Sequence, residues 1–424
     1  MLFAALAAGL PLAASASHAA VAPTMSVAPN GPAALPTSAA RPLLGVAYSH
    51  DPYTYASPTP TAAGLFGNSL AIQGSTLVVG ALQENVSGKF GAGAVYLFRS
   101  TTGGLLRTLT SPNSQVAGEF GAAVAISGKY VVVGAPGENV TGEAAAGRAY
   151  VFSTSGTLLA TLTSPSPAKS GCFGAAVAVS KSTVAVGAPC ETVSDQVDAG
   201  HVYLFRLPGT LVHTLASPDA LYYGKDTRSY FGRAVALSGA TLVVGAPFED
   251  APSAKSAGHV YVYKATTGAL LVTLTSPNAV AQGQFGTSVA LSAKTVLIGA
   301  PGETVSTFKY AGHAYVYDLA TGVFAETFSS PNAAYNSSFG VAVGISKSSV
   351  LIGAWNETAD DDVGAGHAYT FTTAGVLLTT LVSPGAQTNG EFGEAVAISG
   401  KTVLVGAPGE SVSGTLMAGH AYQS

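Results

Sequence analysis

Residues 120–140 read FGAAVAISGKYVVVGAPGENV, an apolar stretch that opens on Phe-Gly and reaches Gly-Ala-Pro fourteen residues later. The same words return along the chain, with the Phe of each Phe-Gly at position 66, 120, 173, 231, 285, 339 or 392. A second word, Ala-Gly, follows each Gly-Ala glycine by thirteen residues, so the repeat is 53 or 54 residues long, and 58 once. Self-similarity at such a period predicts one array of supersecondary units rather than two or three unrelated domains.

Each repeat contains four pieces with the character of β-strands. In the second copy they read GAAVAIS, YVVVGAP, GRAYVF and TLLATLTSP. The YVVVGAP piece is β-branched and apolar on both faces, so it must be covered on both sides. Seven four-stranded units of this kind fit sheets arranged radially about an axis, whereas a linear solenoid needs polar end repeats, and none is visible. We therefore predict an all-β fold, a seven-bladed β-propeller of four-stranded antiparallel blades.

The two ends of the repeat region complement each other. The last copy stops after its third strand, at AGHAYQS, whereas a segment that resembles a fourth strand, DPYTYASP, precedes the first copy. Its Ser-Pro stands nine residues before Phe66, the spacing found in all other copies but one. We predict that residues 51–56 form the outer strand of the last blade, beside residues 418–422, and that the propeller occupies residues 44–424.

The composition favours a folded, exported chain. Charged residues make up only 9% of the 424 residues and hydrophobic residues 48%, whereas disordered chains are usually richer in charge. The net charge of −4 provides no cationic surface for nucleic acid, and no apolar run reaches the roughly eighteen residues of a membrane helix. Residues 1–20 are typical of a signal peptide without its basic start, or else of an apolar tail, and residues 21–43 of a Pro/Ala/Ser-rich linker. Glycosylation sequons begin at Asn85, Asn139, Asn336 and Asn356.

The in-phase Phe-Gly and Gly-Ala-Pro words resemble the FG-GAP repeat family, which includes integrin α-subunit propellers and many secreted microbial proteins. The resemblance covers about residues 51–424 and implies an extracellular platform for binding or adhesion. Integrin-type repeats often carry a calcium loop, Asp-x-Asp-x-Asp-Gly, between the Phe-Gly and Gly-Ala-Pro strands. Here this turn reads SGKY, SKST, SGAT, SAKT, SKSS or SGKT, without the carboxylates that a calcium ion needs. We therefore expect no metal and no cofactor.

Glutamate and histidine recur at fixed positions. A Glu follows each Gly-Ala glycine by four residues, at Glu84, Glu138, Glu191, Glu249, Glu303, Glu357 and Glu410. A His follows Ala-Gly at His201, His259, His313, His367 and His420, and Ala94 and Arg148 replace it in the first two copies. One interpretation is a cation-binding ring or a set of His–Glu acid–base pairs. The other is structural: each Glu accepts backbone N–H groups or holds the His, and its persistence without His favours the backbone role.

The fourth copy breaks the spacing. Between Pro218 and Phe231 it is five residues longer than its siblings, and the insertion brings in Tyr222, Tyr223, Lys225, Asp226, Arg228 and Tyr230. Aromatic and Arg side chains are enriched at binding hot spots, and long loops on rigid scaffolds often carry function. The alternative is a neutral insertion, since loop entropy grows slowly with length. Tyr222, Tyr223, Lys225, Arg228 and Tyr230 are the candidate ligand-binding residues, on the same rim as the glutamate loops.

Two cysteines lie at opposite ends of the first hairpin of the third copy. Cys172 and Cys190 stand nine residues on either side of Lys181, which makes them cross-strand neighbours in a hairpin centred there. In an exported protein this predicts a disulfide, the alternative being two free thiols.

The sixth copy is also irregular. Trp355, the single tryptophan, replaces the proline of Gly-Ala-Pro, either as part of a surface patch or to fill space. Asp360, Asp361 and Asp362 follow in the same loop, as a weak cation site or as a solvated acidic turn.

Several common catalytic motifs are absent from the sequence. The sequence has no Gly-x-Ser-x-Gly elbow, no His-Glu-x-x-His and no phosphate-binding loop, and no cluster of non-repeated acids or histidines singles itself out. We expect a secreted or cell-surface monomer that is not an enzyme and presents rim loops to an unknown protein or carbohydrate ligand. The alternatives are a lectin whose Tyr222, Tyr223 or Tyr230 stacks on sugar rings, and a propeller lyase or hydrolase with its site at the mouth of the channel.

Overall fold

The computed structural model describes residues 53–219, 228–252 and 254–424, and the predicted signal peptide and linker lie outside these residues. The described residues form β-strands and turns, in seven four-stranded antiparallel sheets. Among them no helix is long and apolar enough to cross a membrane. The predicted fold class is confirmed.

Each sheet is one blade, and in blades 1 to 6 the strands run outward from the axis in chain order. The innermost strands are β2 (Phe66–Gln73), β6 (Ala123–Ser127), β10 (Ala176–Ser180), β14 (Ala234–Ser238), β18 (Ser288–Leu291), β22 (Val343–Ser346) and β26 (Ala395–Ser399). The second strands are β3 (Thr76–Ala81), β7 (Tyr130–Ala135), β11 (Thr183–Ala188), β15 (Thr241–Ala246), β19 (Thr295–Ala300), β23 (Ser349–Ala354) and β27 (Thr402–Ala407). The third strands are β4 (Ala94–Arg99), β8 (Arg148–Ser153), β12 (His201–Arg206), β16 (His259–Lys264), β20 (His313–Asp318), β24 (His367–Thr372) and β28 (His420–Gln423). The outer strands of blades 1 to 6 are β5 (Leu105–Thr110), β9 (Leu158–Leu162), β13 (Thr210–Ala216), β17 (Ala269–Thr275), β21 (Phe324–Ser329) and β25 (Leu377–Leu381), and that of blade 7 is β1 (Tyr53–Ala56).

Burial of both faces of each blade explains the apolar sequence. In β7, for example, Val131, Val132 and Val133 are fully buried although successive side chains point to opposite faces. The hydrophobic residues form seven clusters, and each cluster joins two neighbouring blades, including blade 7 to blade 1. Neighbouring inner strands also contact one another around the whole ring, with β26 against β2. The blades therefore close into a disc.

The repeated Phe-Gly, Gly-Ala and Ala-Gly sequences form the contact between neighbouring blades. The backbone N–H of Phe120, in blade 2, donates to the carbonyl of Ala92 in blade 1, and all seven Phe residues repeat this bond to the preceding blade. A Cβ on Gly80 would lie closer than 3.0 Å to the carbonyl oxygen of Gly121, and one on Gly93 equally close to that of Phe120. The same clashes recur at every interface, so the Gly-Ala and Ala-Gly glycines are fixed because the next Phe-Gly docks directly on them.

The predicted closure of the ring is confirmed. Strand β1 pairs antiparallel with β28, with Tyr53 opposite Gln423 and Ala56 opposite His420. Tyr55 is buried in the cluster that joins blade 7 to blade 1, and its hydroxyl donates to Oε1 of Gln423 at 2.8 Å. The ring is thus closed by strands from the two ends of the described chain, which complete a single sheet.

The antiparallel topology gives the disc two different rims. The turns between first and second strands, and between third and outer strands, lie on one side, which we call the lower rim. The loops between second and third strands and the connections from one blade to the next lie on the other side, the upper rim. All seven repeated glutamates and the four sequons belong to the upper rim, as do Arg228 and Tyr230 at the end of the fourth-copy insertion.

Candidate functional site

The seven repeated glutamates are buried beneath the upper rim, each with at most 3% of its surface exposed. Their carboxylates accept hydrogen bonds from side chains. Tyr203, for example, donates to Glu191 at 2.5 Å, and a Tyr twelve residues after the Glu recurs in every blade. In four blades the Ser of the preceding Ser-Pro also donates to the carboxylate, as Ser57 does to Glu84 at 2.7 Å.

The structural interpretation of the glutamates is therefore supported, but the preference for a backbone role was wrong. No backbone N–H within the described residues donates to any of the seven carboxylates. Burial, and next the hydrogen bond to Glu138, raise the pKa of Tyr150 above its ordinary value, and burial raises that of Tyr96 to about 12. Burial also raises the pKa of Glu138, against the hydrogen bonds that lower it. Because each Ser comes from the preceding blade, the network links blades as well as strands.

The repeated histidines lie against the same carboxylates. Nδ1 of His201 is 2.8 Å from Oε2 of Glu191, and the other four pairs lie between 2.8 and 3.2 Å. In the second copy Arg148 takes the place of His, with Nε 3.3 Å from Glu138. In the first copy, which has Ala94 there, Thr59 donates to Glu84 at 2.8 Å instead. The carboxylate thus keeps a polar partner in each arrangement, as a buried acid requires.

The insertion of the fourth copy is described only at its end. Tyr222, Tyr223, Lys225 and Asp226 lie outside the described residues, so their predicted role stays a prediction. Nε of Arg228 is 3.5 Å from Asp198, and the hydroxyl of Tyr230 donates to the same carboxylate at 3.3 Å. The ring of Tyr230 packs against Phe248 at 5.3 Å. Asp198 of blade 3 therefore holds both candidates, and Phe248 of blade 4 packs against Tyr230 in addition.

The predicted disulfide is present. Cys172 and Cys190 are bonded, with their Cα atoms 5.5 Å apart. The bridge ties the entry to β10 to the loop after β11, on the upper rim of blade 3.

The irregular residues of the sixth copy form a turn. Asp362 accepts a hydrogen bond from Thr388 at 2.7 Å, and its backbone pairs with Ala359. Trp355 is partly buried in the same loop. Across the described ranges no group of three or more His, Cys, Asp or Glu side chains is arranged to hold a metal ion.

Among the residues of the upper rim, the exposed large apolar side chains concentrate in one part, a feature that sequence reasoning missed. They are Phe308, Tyr335, Val363, Leu416, Met417, Phe90 and Val116, which we call the apolar arc. The arc runs through consecutive blades 5, 6, 7 and 1, and Val197 in blade 3 is the remaining exposed large apolar residue described on this rim. The loop position of Phe90, Val363 and Leu416 holds Ala144 in blade 2 and Lys255 in blade 4. In blade 5 it holds Lys309, and the exposed Phe308 stands one residue earlier. The signal was visible in the loop sequences, but only the ring shows that these loops follow one another on the same rim.

A second set of exposed apolar residues begins the outer strands. It includes Leu105, Leu159, Leu271, Phe324 and Leu378, and every blade contributes at least one residue. Because this belt is common to all blades, it is a property of the repeat rather than of one site.

At the upper end of the central channel, Arg233 and Glu394 stand at a position that is uncharged in the other five copies. The position after Phe-Gly starts the inner wall and holds Asn68, Ala122, Ala175, Arg233, Thr287, Val341 and Glu394. These positions line the axis because they stand at the start of the innermost strands, which contact their neighbours around the whole ring. Nδ2 of Asn68 also donates to the carbonyl of Ala122 in the next blade at 3.4 Å. Arg233 and Glu394, together with Glu391 just before Phe392, form what we call the channel mouth. This cluster was not predicted from the sequence.

The charges of the channel mouth interact across the axis. Arg233 belongs to blade 4 and Glu394 to blade 7, three steps apart in a ring of seven and hence nearly opposite. The pKa of Glu394 is raised to about 8, mainly by burial and secondly by the charge of Glu391, whereas the charge of Arg233 lowers it. Burial lowers the pKa of Arg233, and Glu394 opposes this change. Side chains of opposite blades influence each other in this way only if both lie near the axis.

These charged groups have no direct partner. Within the described residues, no hydrogen bond or ion pair involves the side chain of Arg233, Glu391 or Glu394. Burial also raises the pKa of Glu391. The channel mouth thus contains a cation and two carboxylates that are close enough to interact and too far apart to pair. Such an arrangement is able to receive a polar ligand between them.

Comparison with known proteins agrees with the repeat. A family model described as FG-GAP repeat matches residues 61–98, 106–152, 157–205, 225–263, 270–317 and 377–422, which is more than half of the chain. These segments leave out residues 318–376, most of blade 6, where Trp355 replaces proline. No curated protein matches the chain significantly. By its matched repeats and its seven blades, the chain belongs to the FG-GAP repeat family.

Proposed function

We propose that this protein is a secreted or cell-surface binding propeller, without catalytic activity, that holds a protein ligand against the apolar arc. The observation that carries this proposal is the concentration of exposed apolar side chains in four consecutive blades of one rim, with 54% of Phe90 and 69% of Leu416 accessible. Contiguous exposed apolar patches on soluble proteins mark interaction sites. The loops that carry the arc differ from blade to blade, as expected of residues that serve recognition and not the fold.

Rigidity supports the same proposal. The backbone N–H of Ala117, next to Val116, donates to the carbonyl of Phe90 at 2.8 Å, and that of Ala63 to the carbonyl of Leu416 at 2.9 Å. The rings of Tyr310 and Tyr335 pack at 6.3 Å. Loops held in this way lose little conformational entropy on binding, which favours affinity. The disulfide of blade 3 and the family's association with extracellular proteins support the proposed location.

Peptide selection tests the arc. We expect phage-displayed random peptides selected on the wild-type protein to lose at least about tenfold in affinity for the double variant Phe90→Ser, Leu416→Ser, because apolar anchors dominate such contacts. The variant Leu271→Ser, on the outer belt, is the matched control and should keep the affinity. Peptides that bind the arc variant and the wild type equally would refute the proposal. Selective signals on a glycan array, retained by the arc variant, would favour the lectin instead.

The channel mouth favours one other function, a hydrolase or lyase with its site on the axis. A carboxyl group with a pKa of about 8, as in Glu394, is matched to general acid–base catalysis near neutral pH. Incubation with a panel of polysaccharides, followed by assay for new reducing ends or unsaturated products, tests this function. Activity of the wild type that disappears in the variant Glu394→Gln would establish this function. If the wild type cleaves every polysaccharide of the panel no faster than Glu394→Gln does, the function is excluded.

A further inference from the structure

We propose that the channel mouth is a binding site for a small zwitterion, a compound with one ammonium and one carboxylate group such as an amino acid. The carboxylate of the ligand pairs with Arg233, and its ammonium lies between Glu391 and Glu394. This site lies on the axis and is separate from the apolar arc.

The charges define the class of ligand. Arg233 provides planar N–H donors that suit a carboxylate, and it is partly buried without an acceptor in the described residues. Across the axis, Glu391 and Glu394 are both partly buried, and each lacks a donor there. A purely anionic ligand would satisfy Arg233 and repel the glutamates, and a purely cationic ligand would do the reverse. A zwitterion satisfies both sides at once.

The surroundings limit the size of the ligand. The other positions after Phe-Gly are small or neutral, with Ala122, Ala175, Thr287 and Val341 on the remaining blades and Asn68 bonded to blade 2. At this position of the inner wall the charged anchors are therefore Arg233 and Glu394. Since Arg233 and Glu394 do not reach each other, the ligand must span the gap between them. The distance between its two charges is therefore the property that selects it.

The binding should depend on pH in a defined direction. The groups that act on Glu394 are Glu391 and Arg233, and Tyr230 acts in addition on Arg233. Ionisation of Glu394 rises as the pH passes through its pKa of about 8, which strengthens its attraction for an ammonium group. Affinity should therefore increase between about pH 6 and pH 8, as long as the ligand amine stays protonated.

Isothermal titration calorimetry on the full chain tests the proposal. The probes are glycine, β-alanine, γ-aminobutyrate and ε-aminocaproate, which separate the two charges by increasing distances, with acetate and methylammonium as single-charge controls. We expect one member of the series to bind about tenfold or more tighter than either single-charge compound. Arg233→Gln and Glu394→Gln should each weaken it about tenfold or more, the usual effect of removing a charged hydrogen-bond partner.

Matched variants keep the result interpretable. Glu143→Gln and Lys401→Gln remove exposed charges away from the mouth and should leave the affinity unchanged. Arg233→Lys retains the charge and should bind better than Arg233→Gln, which separates a binding role from a structural one. The proposal is overturned if no member of the series binds, or if binding is the same in both mouth variants. The arc variant should bind the zwitterion normally, so the proposed function and this site can fail independently.

Discussion

The closure of the ring provides the sharpest test of the fold. Tyr53 and Tyr55 lie two residues apart on β1, yet Tyr53 is 42% exposed and Tyr55 only 3%. The ring of Tyr55 packs against Phe98 of blade 1 with centroids 4.9 Å apart, and its hydroxyl bonds to Gln423 of blade 7. A change at Tyr55 therefore removes contacts on both sides of the junction, whereas the same change at Tyr53 removes mainly surface contacts.

The expected magnitudes follow from burial. Replacing a buried aromatic residue by Ala typically costs about 3–5 kcal/mol, so we expect Tyr55→Ala to lower the free energy of unfolding by that amount. Tyr55→Phe removes only the hydroxyl and should cost about 1 kcal/mol. Tyr53→Ala should cost less than about 1 kcal/mol, as most surface changes do. Since domains are stable by about 5–15 kcal/mol, the first of these losses is large.

Urea denaturation measures these differences. Trp355 is the single tryptophan and lies in blade 6, so its fluorescence reports whether a change at the junction destabilises the neighbouring blade as well. We expect the midpoint for Tyr55→Ala to fall in fluorescence and in circular dichroism together, with an unchanged slope. If Tyr55→Ala and Tyr53→Ala agree to within about 0.5 kcal/mol, the reasoning that β1 closes the ring is wrong.

Three further predictions concern other contacts. Replacing Cys172 and Cys190 by Ser should remove about 3 kcal/mol, the value for a loop of this length, and should abolish the mobility difference between reduced and non-reduced protein on electrophoresis after unfolding. Gly299→Ala places a Cβ against the next blade and should cost about 1–3 kcal/mol in urea denaturation, whereas Gly385→Ala, where the space is open, should cost almost nothing. Burial raises the pKa of Glu119 to about 7 from its ordinary value of 4.5, so the folded state binds the proton more tightly and stability falls as the pH rises between these values. Glu119→Gln should therefore gain stability relative to wild type between about pH 4 and pH 8, and an equal difference at both pH values would contradict the shift.

The fold was predictable because every repeat makes the same contacts with the repeat that follows it. Gly134 and Gly147 are required by the approach of the following blade, and such a requirement leaves the same residue at the same spacing in every copy. The strand pairing of residues 53–56 with β28 followed from the same spacing. The seven copies could therefore be compared with one another, and the residues common to all of them identified the contacts between blades.

The candidate sites were harder to predict, for physical reasons. The partners of Glu138 are Tyr150, twelve residues later, and Ser111, which comes from the preceding blade, so only the assembled ring brings them together. Arg233 and Glu394 are far apart in sequence, and their charges interact only because the seven blades converge on an axis. Both are charged at the position after Phe-Gly, which is uncharged in the other copies. This difference can be interpreted only when the fold shows that the position faces the axis.

The pairing of β1 with β28 has a consequence for the order of the blades along the chain. Tyr53 and Gln423 are opposite each other in one ladder, so a short linker would join them on the lower rim without disturbing the upper one. New ends opened at the turn of Gly128, where the backbone is exposed, would give a circular permutant whose seven interfaces are all retained. The contacts between blades therefore do not determine which blade is first in the sequence.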